Sequence, residues 1–328
     1  MAGENGGAIM NRRVTMARHV KEYLQQRRSL GFELQSQGEL LQKFAEYLDR
    51  SGRRGPITTE VALWWVNLPQ PISRNYRARR LSAVRCFARY LAARDGRTEV
   101  PSRRLVAQAS FHQRPHLYSQ RELEQLLAAT GRLWPSYPLK RLTFQTLFGL
   151  LACTGLRVSE ALKLKAQQVD LDRGILRVEK TKFKKSRLVP LHPTTTRVLR
   201  RYAAARFGRE ALRDGSAFFV NGDGNHLTYH AVCRAFQQLR DILGWKQGNG
   251  EWPRPRIHDL RHTFACQRLL RWYRQGKNVH NLVMALSTYL GHGKVSDTYW
   301  YLTGTPELLA IAGGRFERFA QPGERRRS

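Results

Sequence analysis

A single change of period divides this chain. Over most of its length apolar residues recur at three- and four-residue steps, as on one face of a helix: Val20, Tyr23, Leu24, Leu30, Leu40, Leu41, Phe44, Tyr47 and Leu48 open the series. Between residues 168 and 191 that period gives way. Residues 168–171 and 175–179 read as strands around the turn Asp172-Arg-Gly174, and a third strand, 187–191, follows a basic turn at 181–186. A helix-period pattern does not settle as a strand, nor the reverse. The expectation is a mainly α chain with one small antiparallel β-sheet, whose third strand Pro190 places at an edge or at its end.

Breakers and caps mark the other elements. Residues 52–56 interrupt the first helical stretch, and Thr58 or Thr59 caps a helix carrying Trp64 and Trp65. After a break at 69–73, a helix over 75–94 gathers Leu81, Val84, Phe87, Ala88 and Leu91 on one face. Ser119-Gln-Arg-Glu122 is a capping-box pattern. Gly155 ends the apolar helix of Leu139, Leu142, Phe144, Leu147, Leu150 and Leu151; a helix restarts over 158–164, and Thr228 caps one running to Leu243. The domains expected are a Gly-rich mobile start (1–13), a helical domain (14–94), a basic linker with two prolines and no periodicity (95–117), a larger domain (118–320) and a disordered basic tail (321–328).

Charge restricts the partners. The 328 residues hold 57 Lys+Arg against 25 Asp+Glu, a net charge of +32, so the expected partner is a polyanion, nucleic acid or anionic membrane. No run approaches the roughly 18 apolar residues of a membrane span, and the first 20 residues lack the apolar core of a secretion signal. The expected location is the cytoplasm, at the nucleoid, with no membrane partner. A hydrophobic content of 41% excludes disorder over the whole chain. Cys86, Cys153, Cys233 and Cys266 are far apart with no CxxC pair, which fits buried small hydrophobes better than a zinc or disulfide framework. Arg74, Arg77, Arg79, Arg80, Arg85 and Arg89 fall opposite the apolar face of the 75–94 helix. Their single sign points to a DNA-facing surface.

Five segments of the larger domain carry chemistry. They are Thr154-Gly-Leu-Arg157-Val-Ser-Glu160, Lys182-Phe-Lys-Lys-Ser-Arg-Leu-Val-Pro-Leu191, His258-Asp-Leu-Arg261-His-Thr-Phe-Ala265, Leu290-Gly-His292, and Tyr301. In this order, with His292 and Tyr301 nine residues apart, they resemble the tyrosine recombinase (phage integrase) family, Xer-type members included. The resemblance implies a helical DNA-clamping, SAM-like domain over 14–94 and a tyrosine-recombinase catalytic domain over 118–320. It assigns a phosphate clamp to Arg157 and Arg261, a general acid to Lys182, proton management to His258, a phosphate hydrogen bond to His292 and the nucleophile to Tyr301, with Tyr299 the second choice. Glu160 and Asp259 match acidic positions that orient the cations; helix capping is their competing reading. Lys184 and Lys185, in the same turn as Lys182, join the expected DNA contacts.

The chemistry agrees with that assignment. Cutting and rejoining DNA without a metal needs a nucleophile, donors for the phosphate oxygens and an acid for the leaving 5′-oxygen. Arginine suits the donors because its planar fork binds phosphate bidentately and stays charged, and a lysine among cations gives up its proton more readily. His258 and His262 have the spacing of metal ligands, but Asp259 stands where a zincin has Glu and no third ligand is evident, so no metal is expected. The resemblance implies a 3′-phosphotyrosyl intermediate and a Holliday junction on double-stranded DNA, four protomers on two duplexes, accessory proteins as an option, and neither ATP nor cofactor. Residues 306–320 would dock on a neighbouring protomer or on their own domain. The high charge and Gly293-Lys294, a departure from the family pattern, favour a mobile-element integrase over a chromosome-dimer resolvase. The alternatives are a type IB topoisomerase-like enzyme and a non-catalytic DNA-binding partner with an architectural or regulatory role.

Overall fold

The computed structural model describes residues 15–53, 55–68, 73–106, 115–135, 137–179, 186–208, 215–245, 254–303 and 310. The chain forms two compact units, residues 1–112 and 113–328.

The first unit holds α1 (Met16–Ser29), α2 (Gln35–Arg50), α3 (Thr59–Val66) and α4 (Arg74–Ala92). Thr15, Thr58 and Ser73 cap α1, α3 and α4 by accepting backbone N–H groups of the first turn. The apolar faces meet in a core of Leu24, Leu41, Phe44, Trp65, Val84 and Phe87. Trp65 meets Phe44 edge-on at 5.1 Å, whereas Trp64 lies outside beneath the Arg53 guanidinium, 3.8 Å away. The expected single arginine face on α4 needs correction. Arg74, Arg79 and Arg89 are exposed and Arg77 is half-buried, but Arg80 and Arg85 retain only 6% and 8% of their surface. At about 100° per residue Arg80 falls inside the apolar arc of Val84, Phe87 and Leu91. Its stem packs there while its head donates to the Trp65 carbonyl at 3.2 Å. The start of the expected linker is also fastened down. Glu99 donates its N–H to the Ile57 carbonyl and accepts the Thr59 N–H on its carboxylate, both at 2.8 Å, so residues 95–106 belong to this unit.

The second unit begins with α5 (Gln120–Ala129), opened by the reciprocal Ser119–Glu122 capping box. There follow α6 (Pro138–Thr154), α7 (Val158–Leu162), β1 (Val169–Asp170), β2 (Ile175–Val178), β3 (Arg187–Pro190), α8 (Pro193–Phe207), α9 (Tyr229–Ile242), α10 (Ile257–Arg274), α11 (Val279–Leu290) and α12 (Ser296–Thr303). The sheet is antiparallel in the order β1-β2-β3, with Leu176 opposite both Val169 and Val189. Those three residues face the core while their neighbours along the strands are more exposed. The Asp170 carboxylate accepts the N–H groups of Asp172 and Arg173, which closes the first turn. The main core surrounds Phe144, Leu147, Phe148 and Leu151 of α6, and a second cluster joins Phe264, Leu269, Val283, Leu286, Leu290 and Tyr301 of α10, α11 and α12.

The four cysteines are free thiols; Cys266 alone is buried, and Cys153 is exposed, against expectation. Among the described residues no helix is long and apolar enough to cross a membrane.

Candidate active site

The site begins where α6 stops. Gly155 takes a left-handed φ of 63° that turns the chain out of the helix. A Cβ there would lie 2.6 Å from Phe264 and 2.9 Å from Leu290, so both space and backbone require glycine. Two residues later Arg157 stands at the N-cap of α7. Its N–H and guanidinium donate to Glu160 at 3.0 and 2.8 Å. Glu160 also accepts a two-pronged bond from Arg187 of β3, at 3.1 and 2.9 Å. Burial alone would push the Glu160 carboxyl up; the bonds and charge of Arg187, then of Arg157, hold it below the usual carboxylate range.

The end of α11 supplies acceptors for the same cations. A helix C-terminus leaves its last carbonyls without helical partners and carries partial negative charge. Three guanidiniums take three consecutive carbonyls: Arg187 Nε binds Tyr289 O at 2.7 Å, Arg261 binds Leu290 O at 2.7 Å, and Arg157 binds Gly291 O at 3.1 Å. Arg261 donates as well to Gly155 O at 2.6 Å. It is 2% exposed. Burial and the charge of Arg157 bring its pKa down to about 10, so it remains a cation at neutral pH.

Gly291, at φ 67°, turns the chain so that His292 follows the helix directly. His292 Nδ1 lies 2.6 Å from the Thr298 hydroxyl, and its ring stacks on Tyr301 at 5.9 Å. Tyr301, on α12, is 3% exposed. The ring of His262 meets it edge-on at 5.4 Å, and His262 in turn meets His258 at 4.8 Å. Burial pushes the Tyr301 hydroxyl up from its usual value, while the charge of Arg261 pulls the other way. Packing and then the neighbouring charges bring His258 to about 4, His262 to about 3 and His292 to about 4. His258 nevertheless keeps an exposed face. All three imidazoles are neutral at pH 7.

The structure thus brings together Arg157, His258, Arg261, His292 and Tyr301, with Glu160 behind Arg157. Tyr299 is left out: 36% exposed, its hydroxyl lies 3.2 Å from His280 Nδ1. Asp259, expected to orient the cations of the site, instead holds Arg256. It accepts the Arg256 N–H and guanidinium at 2.9 to 3.2 Å and so caps α10. Lys182, Lys184 and Lys185 lie outside the described residues, as does most of 306–320. Sequence reasoning missed Arg187, His262 and Thr298. Arg187 and His262 stood inside quoted segments; Thr298 had only its spacing, six residues from His292. Among the described residues, no three His, Cys, Asp or Glu side chains converge as a metal site would need.

Residues 117–307 match the phage integrase family. A Sinorhizobium fredii protein described as an integrase/recombinase, y4rB, is 41% identical over 308 residues, 93% of this chain and 98% of that protein. Tyrosine recombinase XerD of Rhizobium meliloti is 30% identical over 240 residues, 71% of each chain. The solved structure of the Tn1549 transposon integrase with transposon right end DNA has the same fold, with a TM-score of 0.67 at 16% identity over 93% of this chain and 99% of that one. The chain belongs to the phage integrase family. It is a tyrosine-type site-specific recombinase, an enzyme of DNA strand breakage and rejoining.

Proposed function

We propose that Tyr301 attacks a backbone phosphate of duplex DNA. Its oxygen bonds to phosphorus, the bond to the 5′-oxygen breaks, and a 3′-phosphotyrosyl link and a free 5′-hydroxyl result. The observation that carries this reading is the buried Tyr301 packed against the rings of His262 and His292, within the field of the Arg261 cation. With its pKa raised, Tyr301 is a phenol in the free protein, so attack requires a base. His258, neutral and partly exposed, takes that proton. Arg157 and Arg261 hold the phosphate oxygens with the N–H groups that the carbonyls leave over, since each guanidinium has five. When the Thr298 hydroxyl donates to Nδ1 of His292, the ring carries its proton on Nε2 and donates it towards the phosphate. Lys182 protonates the leaving oxygen.

The phosphodiester energy stays in the covalent link, so the released 5′-hydroxyl of a second duplex reverses the attack without ATP, metal or cofactor. Exchange between two duplexes calls for four protomers and a Holliday junction, with residues 306–320 as an element that joins them. The likeness to a transposon integrase and the relative described as an integrase/recombinase support work on a mobile element, and the charge of +32 supports duplex DNA as partner.

The test is a denaturant-resistant adduct on nicked duplexes tiled from the DNA flanking the gene, without magnesium. Wild type and Tyr299→Phe are expected to form it and Tyr301→Phe to lose it. Salt-sensitive binding with no adduct from any variant would instead mark a non-catalytic DNA partner.

A further inference from the structure

Arg187 belongs to none of the roles above, yet it is the most heavily bonded cation of the cluster. Its side chain, 9% exposed, spends Nε on the Tyr289 carbonyl and both terminal nitrogens on the two oxygens of Glu160. Glu160 is thereby shared between Arg187 and Arg157, and Arg157 reaches the Gly291 carbonyl, two residues from the one Arg187 holds. The shape around it is specific. A Cβ on Gly291 would stand 2.7 Å from an Arg187 nitrogen and 3.0 Å from its central carbon, so the guanidinium occupies the space that glycine leaves. Arg187 thus ties three pieces of chain to one another: strand β3, the start of α7, and the turn that delivers His292.

We infer that Arg187 is a positioning residue for strand cleavage, setting Arg157 through Glu160 and His292 through the end of α11. The inference rests on the proposed reaction at Tyr301. A planar fork can meet a carboxylate in two places and a carbonyl in a third; an ammonium cannot. Without the fork, Glu160 turns towards Arg157 alone and the end of α11 loses one of its three clamps. A reacting group misplaced by about 1 Å costs roughly a hundredfold in rate. DNA affinity, spread over many phosphate contacts, changes little.

The experiment measures the single-turnover rate of adduct formation on a nicked duplex at saturating protein, and the dissociation constant on the same duplex. The variants are Arg187→Gln, Arg187→Lys and, from the other side of the contact, Gly291→Ala. The expected result for Arg187→Gln is a rate lower by about a hundredfold with affinity within about threefold of wild type. Arg187→Lys keeps the charge and stays at least about tenfold slow, and Gly291→Ala shows the same pattern of slow cleavage with binding kept. If Arg187→Gln does not fold, Arg187→Lys decides. Rates equal to wild type in the folded Arg187 variants, full rescue by lysine, or a loss of affinity that accounts for the loss of rate would overturn the inference alone. A wild-type chain that binds the duplex and forms no adduct would overturn the reaction at Tyr301 and the inference with it.

Discussion

Tyr299 and Tyr301 share one helix, and two residues of helix turn a side chain through about 200°. That rotation, rather than the composition of Tyr-Trp-Tyr, separates a half-exposed ring bonded to His280 from a buried one packed against His262 and His292. The histidines around Tyr301 carry a pH signature. Their folded values of about 4, 3 and 4 lie below the ordinary value near 6.5, so the unfolded chain takes up protons first as pH falls. Their stabilisation is present above about pH 6.5 and is lost as pH falls from there through about 4 for His258 and His292 and about 3 for His262. Calorimetry is expected to show Tm dropping across that window and a shallower drop in His292→Asn; a Tm indifferent to pH contradicts the assignment. A bound phosphate favours the charged imidazole. DNA binding near pH 5.5 is therefore expected to take up protons, visible as a binding enthalpy that depends on the buffer. At Glu160 the prediction concerns stability. Glu160→Ala leaves Arg187 and Arg157 without their shared anion, and chemical denaturation is expected to register a loss of about 3–5 kcal/mol. Much of this residue pattern was legible through the family resemblance, because the five segments stand in its order with His292 and Tyr301 nine residues apart. Arg187 was not. A strand residue's partners come from wherever the fold carries them, here 27 and 102 residues away.

Helices and strands announce themselves through local rules, and these elements follow them. The Ser119 capping box, the Thr58 and Thr228 caps, the Gly155 stop and the strands around Gly174 all obey chemistry confined to a few neighbours. Ser119→Ala is expected to cost about 1 kcal/mol in a urea titration, the usual loss for a helix cap. Gly155→Ala is a harsher change, since it meets both an unfavourable backbone angle and the side chains of Phe264 and Leu290. A loss of roughly 2–4 kcal/mol is expected, with slower cleavage because Gly155 O anchors Arg261. A variant as stable as wild type would show that the turn tolerates the clash by moving. On α4 the six arginines share a sign but not a face: the helical angle places Arg80 among the apolar residues, apart from the exposed Arg74, Arg79 and Arg89. The tether through Glu99 had no local signal, since single bonds between distant segments leave no period in the sequence.

At the scale of the whole molecule, the excess of cationic residues is the property that binding experiments read most directly. If Arg74, Arg79 and Arg89 each neutralise one phosphate, replacing any one by alanine lowers the slope of log affinity against log salt by about 0.9. Arg80→Ala is expected to act through stability, because its head lies inside the first unit. Fluorescence anisotropy over a range of salt concentrations distinguishes the two kinds of arginine. The division into a smaller helical unit and a larger one bearing the sheet followed from periodicity and charge. The convergence of α6, α7, β3, α10, α11 and α12 on one site did not, because it depends on packing between residues more than a hundred positions apart. The most direct measurement identifies the atom that joins protein to DNA. The adduct would be digested with trypsin and nuclease and the modified peptide sequenced by fragmentation mass spectrometry, with exonucleases reporting which DNA end is blocked. The account predicts a single phosphonucleotide on Tyr301 and a blocked 3′ end. A link at Tyr299 or any other side chain, or a blocked 5′ end, would contradict it.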